Sequence, residues 1–297
     1  DNLDILEAAA EVFEKVGDTA KAHDCLKRAL AANPLDRHLR HQAAALALNE
    51  ARRRATDEDF DAARAALREA KDLGGNAEAI LALAAAIESQ ARNTEAAAKH
   101  QESLRNLPNS RLAAPYRLTV EGSRLKFKKK DLAPHQTAFT EGLAGPATVA
   151  ELISLIEALD QYRRESTPYR GLKTHEKKIL DRMATVASSP EMSEVDLVDL
   201  GLVLHALELW RPLRAIGEHG EVRFKRNAYF PFFIAEAMVA RQRSEYVNYR
   251  AGDLYRAVKS HMDRAQDDRY RRLQELLDDR MRETPDVERW VNDRWGW

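Results

Sequence analysis

From Leu3 to Leu107 apolar side chains recur three and four residues apart, and Ala and Leu fill most of these positions. That spacing marks one face of an α-helix, which turns once in about 3.6 residues. No segment of this stretch alternates apolar and polar residues as a half-buried strand does. Gly and Pro fall between the apolar runs, at Gly17-Asp18, Asn33-Pro34, Gly74-Gly75 and Leu107-Pro108. Such residues end helices, so the pattern predicts helices joined in pairs by short turns.

The pairs have internal order. In the first, Leu6, Ala10 and Phe13 line one helix, Gly17 turns the chain, Ala22, Leu26 and Ala29 line the next, and Pro34 closes it. Two helix axes approach to about 8–10 Å only where small side chains face each other, and an aromatic ring fills the gap beside them. The order of small, aromatic, small, small and proline at Ala10, Phe13, Ala22, Ala29 and Pro34 resembles the tetratricopeptide repeat. A second unit, from about residue 37 to 75, has Ala44 on its first helix and Ala63, Leu67 and Ala70 on its second, which Thr56 or Asp57 is expected to open as N-cap. Between Ala44 and Ala63 lie 19 steps, against 12 from Ala10 to Ala22. Seven extra residues make about two helical turns, so longer helices keep the same face inward. A third unit, from about 77 to 108, offers Leu83, Ala84, Ile87, Ala96 and Pro108, but has His100 and Ser103 where the family has apolar or small residues.

The resemblance covers residues 3–108 and implies an all-α fold, a right-handed superhelix of antiparallel helix hairpins of the α-solenoid kind. One hairpin cannot offset an ordering cost of about 1–2 kcal/mol per residue, so hairpins of this kind must stack. Residues 1–108 are therefore expected to form a repeat array. Residues 109–145 change character: Arg124, Lys126, Lys128, Lys129 and Lys130 cluster around Phe127, and Gly142, Gly145 and Pro146 mark a break, so a basic helical junction is expected here. Helical runs resume over 147–164, 173–186, 194–210, 231–242, 254–265, 269–282 and 286–295, giving a second, irregular region from 146 to 297. Within it, 230–265 reads as a degenerate unit with Ala237 on the first helix, Gly252-Asp253 at the turn and Ala257 on the second. Trp290, Trp295 and Trp297 follow Pro285 on a short amphipathic helix. They either cap the stack or anchor a partner, since indoles bury a large area with few rotamers.

Charge and chemistry narrow the function. The 297 residues carry 47 Lys plus Arg and 48 Asp plus Glu, so no global field draws nucleic acid or an anionic membrane, and any electrostatic targeting is local. Cys25 is the single cysteine, which excludes an internal disulfide and a thiolate metal cluster and fits a reducing, cytoplasmic setting. No apolar run reaches the roughly 18–20 residues that span a bilayer, and no membrane association is expected. His175-Glu176 begins like a zinc-protease helix, but Ile179 stands where the second His is needed. His205 with Glu208 and His261 with Asp263 could be drawn as acid–base pairs, yet a lone helical His is ordinarily structural. Phosphate-binding glycine loops and nucleophile elbows are absent from the sequence, so no catalytic residue, metal or cofactor is expected.

In the tetratricopeptide family the first helix of each hairpin lines a concave groove that holds a partner peptide or helix. Carried over, that groove would contain Asp4, Glu7, Glu11, Glu14, His38, His41, Asn49, Glu78 and Glu88. It is acidic and would suit a basic or amphipathic protein partner. Glu7 and Glu11 stand where members that grip acidic chaperone tails have Lys and Asn, so that partner is excluded. The same carboxylates would also serve simply as a solvated helix face. The principal expectation is a non-catalytic protein-interaction scaffold. The alternative is nucleic-acid binding through Arg124, Lys126, Lys128, Lys129 and Lys130 with Phe127, and through Arg223, Lys225 and Arg226 with Phe224. An acidic protein would suit those clusters equally. The chain begins at Asp1 inside a helical pattern, as a piece of a longer protein does, which leaves a docking arm of a larger enzyme or regulator as a second alternative.

Overall fold

The protein is seen in a computed structural model that describes residues 3–164, 172–240, 245–265 and 267–292. Among the described residues the fold is all-α, with no strand. No helix among them is long and apolar enough to cross a membrane. The chain divides into two compact units, Asp1–Leu172 and Lys173–Trp297.

The first unit contains α1 (Leu3–Val16), α2 (Thr19–Ala32), α3 (Arg37–Thr56), α4 (Phe60–Asp72), α5 (Ala77–Gln90), α6 (Thr94–Arg105), α7 (Ser110–Arg124), α8 (Lys129–Ala144) and α9 (Val149–Arg164). Each odd helix up to α7 packs on the even helix that follows it, while α3 also touches α5, α5 touches α7, and α7 touches α9. Ala10 and Ala22 belong to one buried cluster with Leu6, Cys25, Leu26 and Ala29, and Phe13 packs at its edge. Small side chains therefore sit where α1 and α2 press together, and the aromatic flanks them.

One turn recurs in this unit. After α1, α3, α5 and α7 a residue with left-handed backbone reverses the chain: Gly17 (φ 84°), Glu58 (61°), Arg92 (61°) and Lys126 (58°). The amide of the next residue donates back over the helix end, Asp18 to Phe13 O at 2.8 Å, Asp59 to Arg54 O at 2.9 Å, Asn93 to Glu88 O at 2.9 Å and Phe127 to Gly122 O at 2.8 Å. These bonds satisfy carbonyls that a helix terminus leaves without partners. In three of the four, that residue is Asp or Asn and caps the following helix, accepting from the amide of Lys21, Ala62 or Ala96. From Glu58 to Arg92 and from Arg92 to Lys126 is 34 residues each, and from Gly17 to Glu58 it is 41. The longer interval is absorbed mainly in α3, which has 20 residues where α1 and α5 have 14.

Two expectations change here. Thr56 is the last residue of α3 and Asp57 caps its C-terminus; Asp59, whose carboxylate reaches the Ala62 amide, opens α4. The chain needs both intervening residues to make the left-handed reversal first. Residues 109–145 are a helix pair rather than a junction, and Leu112, Ala113, Ala114, Tyr116, Leu118 and Val120 of α7 are buried among its neighbours.

The second unit contains α10 (Leu172–Ala187), α11 (Glu194–Ala206), α12 (Trp210–Arg223), α13 (Tyr229–Val239), α14 (Glu245–Ala265), a single 3₁₀ turn (Asp268–Tyr270), α15 (Arg271–Glu283) and α16 (Pro285–Asn292). Tyr229, Phe230, Phe232, Phe233 and Ile234 are all buried, so α13 is enclosed on every side. Glycines make room for its rings. A Cβ on Gly201 of α11 would lie 2.1 Å from Phe233 Cε2, and one on Gly220 of α12 would lie 2.2 Å from Phe230 Cδ1. The single run expected over 194–210 is broken at Leu207–Leu209, with Glu208 at φ 55° repeating the left-handed turn, and Trp210 begins a new helix. Gly252 and Asp253 lie inside α14, so the chain does not reverse there as expected. Buried Ala251, Tyr255 and Val258 hold that stretch helical against α13.

Candidate partner-binding face

Asp4, Glu7, Glu11 and Glu14 follow one another at three- and four-residue steps, so α1 carries them on one side. Asp4, Glu11 and Glu14 are exposed and Glu7 is half-buried. α3 lies beside α1, with Leu39 and Ala43 in the same buried cluster as Leu6 and Ala10. His38 Nε2 sits 3.1 Å from Glu7 Oε1, and His38 and His41 are both exposed. Of the first six residues of the sequence-predicted groove, the four acids thus share one side of α1 and His38 meets Glu7, while His41 is exposed one turn farther along α3. Carboxylates at i, i+3 and i+4 repel one another by a few tenths of a kcal/mol per pair, about 0.2–0.5, so a cation laid along the stripe relieves a cost the free helix bears.

The other three belong elsewhere. Asn49 accepts from Arg52 Nη1 at 2.8 Å. Arg52 reaches from α3 past α5 to α7, where its guanidinium donates to both oxygens of Glu121 at 2.7 and 2.9 Å. Glu121 is fully buried, and it also accepts from Tyr162 of α9 at 3.2 Å and faces Arg124 at 3.6 Å. Burial raises its carboxyl, and the charges of Arg52 and Arg124 with these hydrogen bonds more than reverse that, leaving it below the ordinary carboxylate value. Glu78 of α5 pairs with Arg117 at 2.8 Å and takes hydrogen bonds from Ser110 and Ser154, while Arg117 also donates to Gln161 at 2.7 Å. Glu88 is buried and bound by both ends of the Arg64 fork, at 2.7 and 2.9 Å, and by Asn93 at 3.1 Å. Glu78 and Glu88 were expected in the groove; both are consumed inside the unit because α5 is the middle helix, flanked by arginine-bearing neighbours. The face is open at α1 and α3 and filled by ion pairs from α3 to α9.

The expected anionic-partner patch also divides. Lys126, Lys128, Lys129 and Lys130 are exposed in the first unit, and Lys225 and Arg226 in the second. Arg124 turns inward, its guanidinium 4.4 Å from the centre of the Tyr162 ring. Arg223 is likewise drawn in, donating to the carbonyls of Ser189, Pro190 and Met192 at 2.8–3.0 Å while covering the Phe224 ring. Both arginines therefore leave the patch, because each side chain closes a helix connection or a buried carboxylate.

A polar centre that sequence reasoning missed lies in the second unit. Glu236, in the apolar helix α13, is 1% exposed. It accepts from His205 at 2.9 Å, from Tyr255 at 2.6 Å and from both nitrogens of the Arg280 fork. Burial raises its carboxyl, but the hydrogen bonds of His205 and Arg280 and the Arg280 charge hold it down to about 2. His205 therefore pairs with Glu236, 31 positions away, and not with Glu208. His205, Tyr255 and Arg280 converge on the carboxylate from three other helices, so the cluster ties four helices and has the character of a clamp. The signal available in the sequence was a lone acid in an otherwise apolar run, Phe230 to Met238. Among the described residues no group of three or more His, Cys, Asp or Glu is placed to hold a metal ion. Trp295 and Trp297 lie outside the described residues, as does the side chain of Trp290.

No family model matches the sequence, and no curated protein matches it significantly.

Proposed function

We propose that the protein is a non-catalytic interaction scaffold, that its first unit is a tetratricopeptide-like right-handed array of helix hairpins, and that it holds a basic segment of a protein partner against α1 and α3. The observation that carries this reading is the recurrence of one reversing turn at Gly17, Glu58, Arg92 and Lys126, with successive intervals of 41, 34 and 34 residues. A turn repeated at that interval makes each hairpin equivalent and sets the odd helices side by side, which is how repeat arrays create a continuous binding face. The acidic stripe on α1 with His38 and His41 gives that face its charge preference. Saturation of Glu121 and Glu236 by internal donors supports a role without chemistry, since neither carboxylate has a proton to exchange with a bound substrate.

Nucleic-acid binding is the weaker reading, because Arg124 and Arg223 are spent inside the two units. The test of the scaffold reading is capture of a labelled Lys- and Leu-rich amphipathic peptide. Glu7→Lys with Glu11→Lys should weaken capture about tenfold or more at low salt while helicity and melting stay at the parent's values. Unchanged capture removes the acidic face from consideration.

A further inference from the structure

We propose that a second site, independent of the acidic face, binds an acidic peptide segment in a cleft between the α5–α6 turn, α6, the α7–α8 turn and the start of α8. The cleft has a volume of about 740 Å³, within the range of about 300–1,000 Å³ typical of ligand pockets. Buried Leu125 and Ala97 form part of its floor. Arg92, Lys126, Lys128 and Lys130 line it against a single lining acid, Asp131. None of these four cations forms an ion pair among the described residues, whereas Arg52, Arg64, Arg111 and Arg117 of the same unit all do.

The placement of the lysines is costly to the fold. Lys128 is the N-cap of α8, Lys129 and Lys130 are its first residues, and no side chain caps the helix. A helix N-terminus already carries partial positive charge from its free amides, so three cations there oppose helix formation, and a bound carboxylate reverses the sign of the effect. Phe127 is half-buried and packs on the core cluster of α3 to α5 with its ring edge against Gly122, so it is not presented for stacking on a base. Cations above an apolar floor, with the Phe127 ring not free for stacking, favour an acidic, partly apolar peptide over single-stranded nucleic acid.

The experiment uses the full chain and a fluorescein-labelled peptide of alternating Glu and Leu, followed by anisotropy at low salt. Saturable binding that weakens as salt rises is expected, with a loss of about tenfold or more in the Lys126→Glu, Lys128→Asp, Lys130→Glu variant. That variant supplies α8 with an N-cap and an acidic first turn, so its melting midpoint should equal or exceed the parent's, which separates lost binding from lost folding. The proposal is overturned by absence of saturable binding, by equal affinity of the variant, or by tighter binding of labelled oligothymidine than of the peptide.

Discussion

Glu58, Arg92 and Lys126 hold a backbone conformation that glycine adopts freely and other L-residues resist. The left-handed region costs a residue with a Cβ about 1 kcal/mol or more, partly offset because glycine loses more freedom on folding. Glu58→Gly should therefore stabilise the first unit by about 0.5–1 kcal/mol and raise its thermal midpoint by a few degrees. A midpoint equal to or below the parent's would show that Glu58 makes a compensating interaction in solution. Legibility at this scale followed side-chain chemistry. Gly17 and Gly74 announced their turns because glycine is the default left-handed residue, whereas Glu58, Arg92 and Lys126 gave no sign of theirs. The inward course of Arg124 and Arg223 was hidden for a related reason. A sequence states the sign of a charge, but not whether a carboxylate or carbonyl from another element consumes it.

Helices were the most legible part of the molecule, because a 3.6-residue apolar period is a property of each segment alone. Boundaries were less so. The stretch 194–210 reads as one apolar run, yet the chain reverses at Glu208, and the reason lies in α13, whose rings require α11 and α12 to approach it separately. That approach yields a prediction about packing between elements. Gly201→Ala would place a methyl 2.1 Å from Phe233, which cannot swing away from its buried site, so a loss of about 2–3 kcal/mol is expected. Gly145→Ala meets nothing closer than 3.6 Å and has φ −80°, so it should be neutral or stabilising by up to about 1 kcal/mol. Urea midpoints of the two variants measured side by side would decide it; equal midpoints would contradict the close contact of α11 with α13. The candidate face was half legible: its four acids on α1 follow from spacing alone, while the internal pairing of Glu78 and Glu88 depends on Arg117 and Arg64, which reach them from other helices.

At the scale of the whole molecule the two units carry separate natural probes. All four tryptophans, Trp210, Trp290, Trp295 and Trp297, belong to Lys173–Trp297, and the single cysteine, Cys25, is buried in Asp1–Leu172. Trp210, whose ring centre stands 5.8 Å from that of His205, reports on the second unit, where the Glu236 clamp makes stability depend on pH. Its carboxyl is held at about 2 in the folded state, below the ordinary 4.5, so the ionised form is the stabilising one. The contribution is complete above pH 4.5 and is lost as the pH falls from there through about 2. Glu236→Gln leaves Arg280 only the exposed Glu283, 3.5 Å away, as counter-charge and should cost about 2–3 kcal/mol at neutral pH. It should also flatten the decline of the indole-monitored midpoint across that acid window. A variant as acid-sensitive as the parent would assign the acid response to other carboxylates.

The link from Arg52 to Glu121 bears on how the first unit can change over time. In linear repeat proteins each repeat touches only its neighbours, so copies can be gained or lost almost freely. Here a guanidinium on α3 grips a carboxylate on α7, and the α5–α6 hairpin is spanned between them. Duplicating or deleting that hairpin would strand a buried acid without its base. If the unit is the repeat array proposed above, the pair acts as a ruler that fixes copy number, and growth is open only outside its reach.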